Sequence, residues 1–209
     1  MMKRMVPFLF GLAICSSLSF ADYSDGFITD GEYEYGVQLF NHDVLIVEGG
    51  GADIIEARDF SYVEVRYTST PLGLDVGGIY DILLDGYSEL LYLGGATDLI
   101  SIYDDATAEL RGGQINYIRS FQYTATKHVD IYSQPGWLWE TNYDPVEQED
   151  IITGITGLWE DGSGFDIAFI DKEYLGYDPV WMNINIVEIP EPATLLLISI
   201  GGLLLRQKR

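Results

Sequence analysis

Four consecutive segments open alike and run alike: GGADIIEARDFSYVEVR (50–66), GGIYDILLDGYSELLYL (77–93), GGATDLISIYDDATAELR (94–111) and GGQINYIRSFQYTATKHVDIY (112–132). The Gly-Gly pairs begin at Gly50, Gly77, Gly94 and Gly112, so the intervals are 27, 17 and 18 residues. An apolar run follows each pair. In the first three segments a polar Asp-containing turn and a second run come next, and the fourth keeps the glycines and strands but loses the Asp turn. A period of 17 or 18 is short for a helical repeat and suits one turn of a parallel β-solenoid with two short strands per turn. The ten extra residues of the first interval, around Thr70-Pro71-Leu72-Gly73, read as a loop bulging from the stack.

The rest of the body agrees with strands. No stretch sustains a 3.6-residue period, and runs such as Tyr62-Val63-Glu64-Val65-Arg66-Tyr67 alternate, which is the mark of a half-buried strand. The expected fold class is all-β: a short parallel β-solenoid, right-handed and β-helix-like, with a C-terminal β cap. A β-sandwich with glycine turns is the alternative. Core-facing candidates are Val63 and Val65, Leu91 and Leu93, and Ala108 and Leu110.

The chain divides by pattern into a leader (1–21), an N-terminal cap (22–40), the repeats (41–132), a β-rich C-terminal region (133–189) and a tail (190–209). Within 133–189, SQPGWLWETNYDPVEQED reads as a loop. Three strand-like runs follow it, Ile152–Trp159, Phe165–Ile170 and Val180–Ile189, the first two joined by the turn Asp161-Gly162-Ser163-Gly164. A solenoid needs such a cap because its open edge would pair with other chains.

Charge narrows the function classes. All 33 acids lie between Asp22 and Glu191, against six bases, Arg58, Arg66, Arg111, Arg119, Lys127 and Lys172, which leaves 22–192 at −27. Nucleic-acid binding requires basic surface and is excluded. The field favours solubility, divalent cations and cationic or neutral partners. Cys15, the only cysteine, lies in the leader, so the body has neither disulfides nor thiolate metal sites.

The two ends speak of export. Lys3 and Arg4 precede a mostly apolar run from Val6 to Leu18, and Ser19-Phe20-Ala21 offers small residues for cleavage after Ala21, the layout of a secretory signal peptide. At the other end stands IPEPATLLLISIGGLLLRQKR (189–209). Ala193 to Leu205 is 13 uncharged residues, about 20 Å of helix, short of the roughly 20 residues that a bilayer core takes. Arg206, Lys208 and Arg209 then supply bases suited to the cytoplasmic side.

Pro190-Glu191-Pro192, the adjoining Ala193-Thr194, the Leu/Ile-rich run with Gly201-Gly202 and the basic Arg206-Gln207-Lys208-Arg209 together resemble the PEP-CTERM sorting signal of Gram-negative bacteria that make extracellular polysaccharide. The resemblance covers about a tenth of the chain. It implies recognition by an exosortase-type membrane enzyme that cuts near Pro190, Glu191 and Pro192. The precursor would be held in the cytoplasmic membrane by its C-terminal helix, and the body then sent to the cell surface or released. Short glycine-punctuated solenoids resembling this one often accompany such tails. Physically, the two prolines deny helix and keep an accessible extended segment just outside the membrane.

No catalytic signature emerges. Paired carboxylates such as Asp104/Asp105, Asp81/Asp85 and Glu147/Glu149/Asp150 are expected by number alone in so acidic a chain. Trp137 and Trp139, with Tyr143, offer a platform for stacking sugar rings or a seal between repeats and cap. His42 and His128 lack ligand spacing and read as surface or edge residues. No cofactor is called for. Oxygen-rich turns suit Ca²⁺, yet no EF-hand loop is present, and GGGAD and GGATD set the Asp one residue too early for the glycine-rich nonapeptide. The reading is therefore a non-enzymatic exported surface or extracellular-matrix protein with a structural or adhesive role, in contact with extracellular polysaccharide. The alternatives are a polysaccharide-degrading β-helix enzyme and a carbohydrate-binding module.

Overall fold

A computed structural model describes residues 21–22, 25–68, 78–121, 128–145, 148–170 and 179–190. The fold is all-β. Its strands are β1 (Ala21–Asp22), β2 (Asp25–Thr29), β3 (Tyr33–Glu34), β4 (Val37–Leu39), β5 (Val44–Glu48), β6 (Gly51–Ala57), β7 (Tyr62–Tyr67), β8 (Gly78–Leu84), β9 (Glu89–Tyr92), β10 (Ala96–Tyr103), β11 (Thr107–Leu110), β12 (Gln114–Phe121), β13 (Val129–Ser133), β14 (Leu138–Asp144), β15 (Glu149–Leu158), β16 (Gly164–Phe169) and β17 (Ile184–Glu188). One 3-10 turn, Val180–Asn183, leads into β17.

From β4 to β13 the chain alternates between two sheets. β4, β6, β8, β10 and β12 lie side by side in one; β5, β7, β9, β11 and β13 lie side by side in the other, and every one of these pairings is parallel. Each circuit adds one strand to each sheet. In the first sheet Val37, Ile55, Ile82, Ile100 and Ile118 are opposite one another in successive strands, at intervals of 18, 27, 18 and 18. In the second, Leu45, Val63, Leu90, Ala108 and Val129 are so placed. All are buried, and these facing columns are the core. The pattern starts inside the segment 22–40 expected as a cap, since β2 already pairs in parallel with β5 and β4 with β6.

Two corners recur in each circuit. At the first, strand register sets Gly50, Gly95 and Gly113 at equivalent positions, with φ of +64°, +96° being taken by the preceding Gly49, and +95° and +82° at the later two. Chain passes chain so closely there that a Cβ on Gly95 would lie 2.6 Å from the Thr68 nitrogen. Register also explains the uneven 17-residue interval: Ile79 stands opposite Thr97, 18 residues on, so Gly95 and not Gly94 continues the corner. At the second corner Asn41, Asp59, Gly86 and Asp104 all take positive φ. Their circuits are tied by Phe60 N–H to the Asn41 carbonyl (2.8 Å) and Asp105 N–H to the Gly86 carbonyl (3.0 Å). Between buried Ile79 and Ile82, Tyr80 and Asp81 both leave the core. The same happens at 53–54, 98–99 and 116–117, so each of these strands bends midway, because strict alternation would bury one of the two.

Three expectations need correction. Leu91 and Leu93 are not the core pair of β9: Leu90 and Tyr92 are buried, and Leu93 is exposed. The run Leu90-Leu91-Tyr92-Leu93 is apolar at every position, so its parity is set by pairing with Val63 and Val65. Val63, Val65, Ala108 and Leu110 do face the core. Second, the stretch read as a loop after Ser133 contains β14 and the start of β15, an antiparallel pair. Its strand character is masked because most β14 side chains are exposed on a sheet edge. Third, His128 is not a surface residue but is buried, its backbone N–H donating to the Asn183 carbonyl at 3.0 Å.

The C-terminal region closes the coil differently on each side. β17 continues the second sheet in parallel beside β13. On the first sheet β16 joins β12 in parallel through Tyr117–Ala168 and Ile118–Phe169 only. β15 and β14 then fold back antiparallel, with the Asp161-Gly162-Ser163-Gly164 turn between β15 and β16 as expected.

Candidate functional site

The residues expected to carry sorting lie mostly beyond description. Lys3, Arg4, Glu191, Pro192, Arg206, Lys208 and Arg209 are outside the described residues, as are Cys15, the Thr70–Gly73 loop, Lys127, Glu147 and Lys172. Ala21 is in β1, opposite Val37, and Pro190 is exposed just past β17. Among the described residues no helix is long and apolar enough to cross a membrane; the segment expected to do so is not among them.

Trp137 and Trp139 are brought together, edge to face at 5.3 Å. Both are half-buried and packed against the core. The Trp137 indole N–H donates to Glu188 of β17 at 3.0 Å, and Trp139 meets Phe169 at 6.2 Å. They therefore link β14 to both sheets, and much of their ring surface is engaged within the protein. Tyr143 is exposed at the far end of β14.

Exposed aromatics form a ladder instead at the second corner. His42 stacks on Phe60 at 5.5 Å, and Phe60 on Tyr87 at 5.2 Å, with planes within 15° and 7° of parallel. Their faces cover one another, which leaves mostly edges to solvent. Such cross-strand rings stabilise the coil but present little face to a sugar.

Charge is used locally. Arg58 pairs with Glu56, Arg66 with Glu48 and Glu64, and Arg111 with Glu109 while lying 3.8 Å from the Tyr132 ring centre. Arg119 donates to Ser101 Oγ at 2.9 Å, and Ser101 Oγ donates to Asp81 at 3.1 Å. Burial holds the Asp81 carboxyl above its ordinary range, opposed by Ser101 and Arg119 and aided by Asp98. At the second corner Asp104 is also raised, by desolvation and then by the adjoining Asp85 carboxylate. Among the described residues no group of three or more His, Cys, Asp or Glu side chains is placed to hold a metal ion. The expected Ca²⁺-suited turns thus converge on no ligand set there.

A concavity lies among the described residues where the C-terminal hairpin leaves the first sheet. β12 and β16 meet at Tyr117 and Ile118 but diverge toward Gln114 and Gly164, opening a groove of about 800 Å³. Gln114 and Asn116 line one wall; Thr156, Ser163, Gly164 and Asp166 line the other. The walls are braced. Trp159, fully buried, donates its indole N–H to the Gly113 carbonyl at 2.8 Å. Thr156 Oγ1 donates to the Phe165 carbonyl at 3.1 Å, and Ser163 is held by Asp161 at 2.6 and 2.8 Å. Burial of Trp159, just before the turn, keeps the turn end of the hairpin fixed while β16 parts from β12. Sequence reasoning identified the hairpin turn but not this groove. The only signal was that the fourth Gly-Gly unit lacks the Asp turn, which marks where the regular coil ends.

Set against protein-family models, curated proteins and solved structures, the chain matches none.

Proposed function

We propose that this chain is a non-enzymatic exported protein, sorted by a PEP-CTERM signal, whose acidic body is a right-handed parallel β-solenoid serving as a structural or adhesive module at the cell surface or in the extracellular matrix. The observation that carries the solenoid reading is the in-register stacking of Val37, Ile55, Ile82, Ile100 and Ile118 in parallel strands. Parallel crossovers are right-handed in nearly all proteins. A coil built this way needs no disulfide, which suits an exported body without cysteine. The −27 charge keeps copies apart in solution, and each described arginine is already engaged by a protein side chain, so the surface disfavours anionic partners.

The sorting reading rests on Pro190-Glu191-Pro192 and the apolar, then basic, residues that follow. An exosortase-type enzyme is the expected processing partner, and the signal peptide ending at Ala21 the route of export. The test is intact-mass analysis of protein secreted by a host with the matching machinery. A species running from Asp22 to near Pro190–Pro192 is expected, and the Pro190→Ala, Pro192→Ala variant should stay in the envelope. Normal release of that variant would refute the sorting signal.

Polysaccharide cleavage has one observation in its favour: Asp81, half-buried and raised toward the protonated form, is hydrogen-bonded to Ser101, which accepts from Arg119, on the sheet face that also carries exposed Tyr80 and, two strands on, Tyr117. That reading requires turnover of an extracellular polysaccharide that Asp81→Asn abolishes.

A further inference from the structure

We infer that the groove between β12 and the β15–β16 hairpin is a binding site for an uncharged, polyhydroxylated chain, a neutral oligosaccharide. The inference refines the adhesive reading above by naming its ligand class and site, and it rests on that reading only for where the ligand would be met.

Four features point this way. The first is the chemistry of the walls. Gln114 and Asn116 carry amides that both donate and accept, Thr156 and Ser163 carry hydroxyls, and Asp166 accepts. Adjacent sugar hydroxyls, each a donor and an acceptor, need such a mixture. Charge is the second. Asp166 is the only ionisable side chain on the walls, and no arginine lines them; Arg58, Arg66 and Arg111 are ion-paired elsewhere and Arg119 donates to Ser101, so an acidic polymer would meet repulsion without compensation.

Shape supplies the third. At about 800 Å³ the groove falls within the usual range for ligand sites, and the Trp159–Gly113 bond sets its width before any ligand arrives. The fourth is what the groove does not suit. A peptide adding as a strand needs a row of free backbone groups. Within the groove β12 is without a β16 partner over Gln114–Asn116 and pairs with it at Tyr117 and Ile118, which leaves three residues free there where strands commonly run to about five or six. Trp137 and Trp139, the sequence's own candidates for sugar stacking, are meanwhile engaged with Glu188, Phe169 and each other.

The test uses the full chain as secreted, labelled with ¹⁵N and titrated with hexasaccharides. The neutral probes are β-1,4-, β-1,3- and α-1,4-linked glucose hexamers; the acidic control is a guluronate hexamer, and a short uncharged β-forming peptide is the second control. At least one neutral hexamer should shift the amides of Gln114–Asn116 and Ser163–Asp166, with neither control doing so. Gly164→Leu should weaken binding by at least about tenfold. Its added Cβ would find nothing nearer than the Gly157 carbonyl at 4.0 Å, and its φ is not positive, so the side chain fills the groove without disturbing the turn. Gln114→Ala, at an exposed side chain, removes a ligand contact with no packing cost and should weaken binding severalfold; Trp137→Ala should not. The proposal is overturned if no neutral hexamer shifts these amides, if both groove variants bind as well as wild type, if only Trp137→Ala loses binding, or if the guluronate or the peptide binds there instead. Processing at Pro190–Pro192 is measured separately, so a failure here leaves the sorting reading standing, and the reverse.

Discussion

Trp159 and Gly113, 46 residues apart, are joined by an indole N–H to carbonyl hydrogen bond of 2.8 Å. Gly113 is at a glycine corner of the coil, and Trp159 directly follows β15, the strand that begins the closing hairpin. Trp159 is fully buried and stacks at a tilt against Phe165, 4.4 Å between ring centres. Replacing it with Phe deletes the donor, leaves the Gly113 carbonyl short of a partner and removes buried volume. The expected cost is about 2 kcal/mol. Urea unfolding should show a lower midpoint with an unchanged slope; an unmoved midpoint would mean that the join is carried elsewhere.

Two buried hydroxyls go the other way. Tyr92 OH and Thr97 Oγ1 are both within the core and have no hydrogen-bond partner. Burial pushes the Tyr92 phenol far above its ordinary range, so it stays neutral. Thr97 stands in register between Ile79 and Ile115. Tyr92→Phe and Thr97→Val keep the shape and delete the orphan group, and each should stabilise the fold by about 1 kcal/mol. A loss of stability in both variants would reveal buried partners such as ordered water.

The Asp104 turn gives a pH signature. Asp104 is raised above 3.8 by desolvation and by its neighbours Asp85 and Asp105. Its folded form holds a proton more tightly than its unfolded form, so its contribution to stability is full below about 3.8 and is lost as pH rises through the raised value. Asp104→Asn removes this loss. Asn also accepts the φ of +52° found there, as Asn41 does at +57° at the same corner three circuits earlier. The variant should match wild type in acid and exceed it at neutral pH by about 1 °C in melting temperature, the turn being exposed. Buried His128, whose pKa is lowered by burial, works in the opposite sense as pH falls; taking the difference between wild type and variant cancels it.

Glycine corners differ in why they need glycine. Gly95 and Gly136 have φ of +95° and +102°. A Cβ at Gly95 would meet the Thr68 nitrogen at 2.6 Å, whereas one at Gly136 would meet nothing within 4 Å. Gly136→Ala should cost about 1–2 kcal/mol, the conformational term alone. Gly95→Ala should cost clearly more, because neighbouring backbone must also move. Equal losses in thermal unfolding would show that close approach of the circuits is not a constraint.

Much of this architecture was legible in the sequence. The Gly-Gly spacing follows from backbone that must take positive φ where one circuit crosses another, and alternation in Tyr62–Tyr67 follows from a strand with one buried side. The parity of Leu90–Leu93 was not legible, because four apolar residues in a row carry no alternation. Nor was β14, whose exposed edge lets Glu140, Thr141 and Asn142 stand side by side.

By itself the sequence determined the all-β class, the recurring corners, the acidic charge and the absence of a cysteine pair for a disulfide, because each depends on residue type and spacing alone. Only the tertiary structure decided which face of β9 is buried, that His128 lies inside, that Trp137 and Trp139 are spent on the cap, and that β12 and β16 part to leave a groove. These follow from register and from long-range contacts such as Trp159 with Gly113. Such contacts join residues tens of positions apart, and no local pattern encodes where they will meet.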